Sequence, residues 1–210
     1  MASETFAWGE KLPLLKGPQV TLRALEASDA PALFEVFGDP EVMRYWSTAP
    51  LDSVRAAGRL LGEIDAGFSA RRLFQWGIAD RDTGTIVGTC TLLRMEQAHR
   101  RSEVGFALAR SRWGRGEAFR AVAMVLAFAF NALALHRIEA DVDPRNERSL
   151  RLLERLGFRR EGVLRERYQV NGEVQDSAIL GLLRSDWLAG ALSNSTVQLT
   201  RPSPTLGSRS

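Results

Sequence analysis

The chain has 210 residues, with 28 basic and 25 acidic side chains and a formal charge of +3. Its 45% apolar and 25% charged composition fits one soluble globular domain with an ordinary core, at roughly 100–200 residues per domain. One cysteine (Cys90) excludes an internal disulfide, and with only two histidines (His99, His136) it excludes a zinc finger or a histidine-rich metal centre, so no metal is expected.

The first ten residues, MASETFAWGE, lack the basic start and apolar run of a signal peptide. Residues 1–13 read as an N-terminal extension. Residues 20–25 alternate as a first strand. Ser28-Asp29-Ala30-Pro31 then opens a helix with Leu33, Phe34, Val36 and Phe37 on one stripe, stopped by Gly38-Asp39-Pro40. A second helix from Asp52 carries Leu60, Leu61, Ile64 and Phe68. Phe74, Trp76 and Ile78 alternate, and Asp82-Thr83-Gly84 turns the chain into a return strand over 85–95, which makes a hairpin.

Residues 102–109 form the next strand, with Glu103, Gly105 and Ala107 on one face and Val104, Phe106 and Leu108 on the other. The segment Trp113-Gly114-Arg115-Gly116-Glu117-Ala118 runs into a helix buried through Val122, Leu126, Phe130 and Leu133. Its apolar run, 121–135, is interrupted by Asn131 and falls short of the ~20 residues of a membrane span, so a cytoplasmic protein without a membrane partner is expected. Residues 136–142 are a strand, Asp143-Pro144-Arg145-Asn146 a turn and cap, and 147–156 a helix closed by Gly157. Strands follow from Phe158, with Asn171-Gly172 as a hairpin turn and 177–183 as the closing strand. Residues 189–210, rich in Ser, Thr and Pro, read as a disordered tail.

The loop at 113–118 is the most informative segment. Glycines at 114 and 116 allow a tight turn and a close approach of backbone to ligand, and the helix start that follows offers unpaired N–H groups to an anion. Arg112 and Arg115 add charge-assisted donors. A Walker A loop is absent, and Phe119 stands where a dinucleotide fingerprint needs its third glycine.

Together, the strand, the WGRGEA loop and the downstream PRNERSLRLLERLGF segment resemble the Gcn5-related N-acetyltransferase (GNAT) superfamily, and most of all its ribosomal-protein N-terminal acetyltransferase (RimJ/RimL-like) branch. The resemblance covers about residues 14–188 and implies an α/β fold: a mixed, mostly antiparallel sheet of about seven strands flanked by helices, with the fourth and fifth strands splayed. It implies acetyl-CoA as co-substrate, with pantetheine along Phe106, Ala107, Leu108 and Ala109. The pyrophosphate would rest on the N–H groups of Gly114, Arg115, Gly116, Glu117 and Ala118. Asn146 and Ser149 match the family's helix start; Asn146 would bond pantetheine, or serve simply as an N-cap. Tyr45 and Trp46 fall where the acceptor groove is lined, or anchor their loop. Homodimers are common in the family.

Acetyl transfer to an amine requires a base, a stabilised oxyanion and a proton for the leaving thiolate. With so few histidines, a carboxylate working through water is the expected base. Glu103 is the first choice, beside the small residues Gly105 and Ala107, and Asp176 the second. Ser149 is the candidate acid and Tyr168 its alternative, with an oxyanion donor among the backbone amides near Leu108. His136, Cys90 and Trp76 read as structural. The expected activity is direct transfer to a protein N-terminal amine. Acetylation of a small amine (a polyamine, an aminoglycoside or an amino-acid-like toxin) and a non-catalytic acyl-CoA-binding module are the alternatives. The pI of 9.6 suggests nucleic acid, but +3 over 210 residues is a weak field, and the arginines of 145–160 alternate with glutamates, so no nucleic-acid partner is expected.

Overall fold

The computed structural model describes residues 8–170 and 172–190, together with the backbone of residues 198–199. The elements run β1 (Leu15–Lys16), β2 (Val20–Arg23), α1 (Ala30–Phe37), α2 (Pro40–Met43), α3 (Val54–Ser69), β3 (Phe74–Asp80), β4 (Ile86–Glu96) and β5 (Arg101–Leu108). Then come α4 (Glu117–Asn131), β6 (Arg137–Val142), α5 (Glu147–Arg155), β7 (Arg159–Val170), β8 (Glu173–Leu183), α6 (Arg184–Ala189) and β9 (Gln198–Leu199). They build one mixed sheet in the order β7-β8-β6-β5-β4-β3-β2-β1-β9. Only β5 and β6 pair in parallel; every other neighbouring pair is antiparallel.

The seven longer strands are those the alternation indicates. β1 and β9 add two-residue strands at one edge, and β9 falls within the stretch expected to be a tail. The rest of that stretch beyond Gly190, residues 1–7 of the extension and Asn171 of the hairpin turn lie outside the described residues. The short helices α2 and α6 come in addition to the elements the sequence pattern indicates. The Gly38-Asp39-Pro40 stop ends α1 but also starts α2, because the Asp39 carboxylate accepts the Glu41 N–H at 2.8 Å and Pro40 sits in the first turn. α3 begins at Val54 rather than Asp52: the Ser53 hydroxyl accepts the Ala56 N–H at 3.2 Å and donates to Asp52 at 2.7 Å.

The helices cover the sheet unequally. α4 is buried along most of its length against Phe74, Trp76, Cys90, Val104 and Ile138, and α5 adds Leu150 and Leu153 to this core. On the opposite face a smaller cluster joins α1 and α2 to Ala107 and Ala109 of the β5 end. From the extension, Trp8 closes the core: its indole donates to Phe68 O at 3.0 Å and its ring lies 4.1 Å from Phe74.

The parallel pair sets the site. β5 and β6 are in register at Arg101–Arg137, Ser102–Ile138 and Glu103–Glu139 and no further. Beyond Glu103, β5 stays with β4 as far as Leu108, while β6 stays with β8 as far as Val142. The two strands therefore part into a V at their C-terminal ends, as the splayed pair requires.

Candidate active site

At the mouth of the V the chain leaves β5, makes a 3-10 turn (Arg110–Arg112) and passes through Gly114 (φ 78°) and Gly116 (φ 75°) into α4. Both angles lie in the left-handed region that glycine alone enters freely. A side chain at Gly114 would meet nothing within 4 Å, so its φ is the whole requirement. At Gly116 a Cβ would also stand 2.8 Å from Arg120 Nη1. Among the described residues no side chain caps α4, so its first-turn amides and the positive end of its dipole face outward.

The cations around this loop differ from the sequence expectation. Arg115 is exposed as expected. Arg112 is engaged with carboxylates: its Nη2 and Nε hold the Glu117 carboxylate at 2.5 and 3.1 Å, and its Nη2 also donates to Asp80. Glu117 offers the loop only its backbone, since its side chain is buried in this pairing. The second outward cation is Arg120, which folds back to donate to Arg115 O at 2.9 Å. The signal for it was its place one helical turn after Gly116.

Inside the V, Ala109 N–H donates to Val87 O at 2.8 Å. Donors alternate sides along an antiparallel pair, so Gly105 and Ala107 bond to β4 while Phe106 and Leu108, beyond the last β5–β6 bridge at Glu103, present their backbone to the opening. The Leu108 carbonyl accepts the Trp113 indole at 3.0 Å, and the Arg148 guanidinium of α5 lies 5.0 Å from that ring. Phe106 N–H and C=O and Leu108 N–H remain as a strand edge suited to the amides of an extended ligand. Across the V, Asn146 caps α5: its Oδ1 accepts Ser149 N–H at 3.2 Å, which leaves its NH2 group as a donor. Ser149 is half-buried in the first turn.

On the face opposite α4, a cavity of about 230 Å³ opens below the split, lined among others by Arg94, Arg101, Glu103, Glu139, Asp141 and Arg167. Glu103 is mostly buried and accepts from Arg94 Nη1 at 2.8 Å. Burial raises its pKa above the ordinary carboxylate range, the neighbouring Asp141 adds to the rise, and Arg94 opposes it. A carboxyl tuned upward in a cleft is what proton abstraction near neutral pH calls for.

Asp141 gathers three donors: Arg167 Nε at 2.9 Å, Tyr168 OH at 2.7 Å and the Ser177 hydroxyl. Tyr168 thus has its proton committed to a carboxylate, which disfavours it as an acid. Asp176 is not brought to the cavity. It is exposed, and its Oδ1 accepts Glu166 N–H at 2.8 Å, holding the β7 bulge where Glu166 has φ 51°. A second bulge in β4 places Arg94 at φ 49°. The two bulges aim Arg94 and Arg167 into the cavity from opposite sides, a use bulges often serve beside active sites. Neither arginine nor Asp141 was singled out in the sequence, because a bulge breaks the period-2 pattern that assigns faces.

A wider depression of about 300 Å³ lies between α2 and the β7–β8 hairpin, lined among others by Met43, Trp46, Pro50, Val170 and Glu173. Trp46 both lines it and anchors its loop, meeting Phe37 edge-on at 5.6 Å. Tyr45 sits between the guanidinium groups of Arg44 and Arg145, at 5.4 and 5.8 Å. Cys90 is wholly buried and burial pushes its thiol far up, so it stays neutral. Trp76 is core, its indole donating to Pro13 O at 2.7 Å. His136 is exposed at a strand start and bonds there through its backbone, N–H to Arg100 O at 2.6 Å.

The Acetyltransferase (GNAT) domain family matches residues 19–159. The chain belongs to the GNAT acetyltransferase family. YoaA of Bacillus subtilis, an N-acetyltransferase whose name gives no acceptor, is 34% identical over 172 residues, 82% of this chain and 97% of that one. The crystal structure of spermidine N-acetyltransferase from Vibrio cholerae with CoA and spermine superposes with a TM-score of 0.72 at 28% identity, covering 81% of this chain and 98% of that one. YdaF of Bacillus subtilis, named as a ribosomal N-acetyltransferase, is 32% identical over 104 residues, 50% of this chain and 57% of its own. This GNAT protein is therefore an N-acetyltransferase that uses acetyl-CoA as co-substrate. The splayed strands, the open edge at Phe106 and Leu108 and the uncapped glycine loop suit an extended thioester with a polyanionic end. Among the described residues there is no cluster of side chains able to hold a metal ion and no helix long and apolar enough to cross a membrane.

Proposed function

We propose that this GNAT enzyme, acting in the manner of the RimJ/RimL-like branch, acetylates the N-terminal amine of a polypeptide. Glu103 takes a proton from the ammonium through a water. The free amine attacks the thioester carbonyl, the C–N bond forms, the C–S bond breaks, the Ser149 hydroxyl protonates the departing thiolate, and the proton that the nitrogen sheds on becoming an amide returns to Ser149. Residues 14–188 form the transferase unit.

The observation that carries the acceptor class is the depression beside Trp46. Its walls mix apolar side chains such as Met43, Trp46 and Val170 with polar ones, Arg44 lines it, and among the described residues its one carboxylate, Glu173, is paired with Arg145 at 2.5 Å. A polyamine arriving there would meet a cation and a single carboxylate already in an ion pair, whereas an extended peptide finds both apolar and hydrogen-bonding walls. The relative named for spermidine favours a second reading, a small polyamine acceptor. Initial rates of CoA release with Ala- and Ser-starting peptides against spermidine decide between them. At least tenfold higher kcat/KM on the peptides is expected, and faster turnover of spermidine would reverse the assignment.

A further inference from the structure

A buried carboxylate at a phosphate-binding helix start needs explaining. Glu117 is the first residue of α4, and its side chain is 8% exposed. Alone at a helix N-terminus a carboxylate is favourable, because it answers the dipole. Here it would occupy the same positive end that a pyrophosphate needs, and would repel it. Arg112 grips it through two nitrogens. The same guanidinium reaches Asp80 at the end of β3. That carboxylate also accepts the N–H groups of Asp82 and Thr83 at 3.0 and 3.1 Å, and so shapes the β3–β4 turn. Arg112 lowers the Asp80 pKa to about 2, so Asp80 stays charged at any physiological pH.

We propose that Arg112 is a positioning residue for acetyl-CoA: it neutralises Glu117 beneath the phosphate loop and ties that loop to the β3–β4 turn, without touching phosphate itself. The proposal rests on the loop being the pyrophosphate site. Removing Arg112 leaves two carboxylates, one of them buried, with no cation between them and next to the ligand's charge. The loss is one of uncompensated charge rather than of a ligand contact, so removing the carboxylate as well restores binding.

The test is a double-mutant cycle read by calorimetry with CoA and by steady-state rates. Arg112→Met is expected to raise the Kd for CoA and the KM for acetyl-CoA about tenfold, with kcat within about twofold of the parent. Adding Glu117→Gln to it should bring both constants back to within about twofold. A double variant as weak as Arg112→Met would show that the arginine contacts phosphate directly, and unchanged affinity in Arg112→Met would show that it positions nothing; either result overturns the proposal. Should Arg112→Met fail to fold, Glu117→Gln alone still decides, since it should bind CoA at least as tightly as the parent, and a loss of affinity would refute the idea. Undiminished CoA binding by Gly116→Asp would instead remove the loop assignment on which the proposal stands.

Discussion

The phosphate loop and the Glu103 cavity both hang on β5, yet they are built in opposite ways. The loop is local: two glycines with positive φ, a helix start and the cations Arg115 and Arg120 all fall within a few consecutive residues. The cavity is assembled from afar, with Arg94 on β4, Glu103 on β5, Asp141 on β6, Arg167 and Tyr168 on β7 and Ser177 on β8. A backbone-built site should fail abruptly when one backbone conformation is lost. A side-chain-built site should respond in degrees, through charge and pKa.

The sharpest way to break the comparison is Gly116→Asp. It combines a left-handed φ of 75° with a carboxylate beside Arg120 and facing the proposed pyrophosphate site. CoA affinity should fall by more than about a hundredfold in calorimetry, with the thermal midpoint little changed because the loop is at the surface. A Kd within tenfold of the parent would mean that the loop does not depend on its backbone.

The cavity should behave differently. Glu103→Gln is expected to lower kcat about a hundredfold while leaving the KM for acetyl-CoA nearly constant, the range typical of a general base. The pH dependence follows from the sign of the shift. Burial holds the Glu103 pKa above its ordinary value, and only the ionised form accepts a proton. Activity should therefore fall on the acid side through that raised pKa and recover as pH increases. Arg94→Gln removes the cation that opposes the rise, so the acid limb should move to higher pH; a limb that stays put or moves down would exclude Glu103 as the titrating base.

The same contrast governs how much could be read from the sequence. The glycine pair, the α4 stripe and the Asn146–Ser149 cap are consecutive signals and were legible. Glu103 was legible because Gly105 and Ala107 share its face. The tie between Arg112 and Asp80 was not legible, because the two lie 32 residues apart and nothing local announces an ion pair across that distance. Asp176 looked available from its place on a strand near the splay, but the β7 bulge absorbs its carboxylate. β1 and β9, at two residues each, are too short for any period to show.

The smallest expected effect separates the cavity's charges from those that merely brace the sheet. Arg101 joins Glu96 at 2.6 Å to Glu139 at 3.2 Å, and Arg137 joins Glu139 at 2.8 Å to Glu161 at 2.5 Å, so a row of five charges runs from β4 across to β7. It passes over β8 at Gly181, where a Cβ would lie 2.6 Å from Arg137 Nη2 and closer still to Glu161 Oε1. The glycine is there because the pair needs the space of a side chain, not because of its φ. Gly181→Ala should push Arg137 and Glu161 apart. Glu161 is largely exposed and the pair is screened, so the loss is about 0.5 kcal/mol, a Tm lower by about 1–2 °C. The deficit should shrink further in high salt, as surface ion pairs do. The pH profile of kcat should not move, because neither Arg137 nor Glu161 faces Glu103 across the cavity. A Tm loss with an unchanged profile would mark the Arg137–Glu161 end of the row as scaffold, whereas a shifted acid limb would extend the catalytic electrostatics to the edge of the sheet.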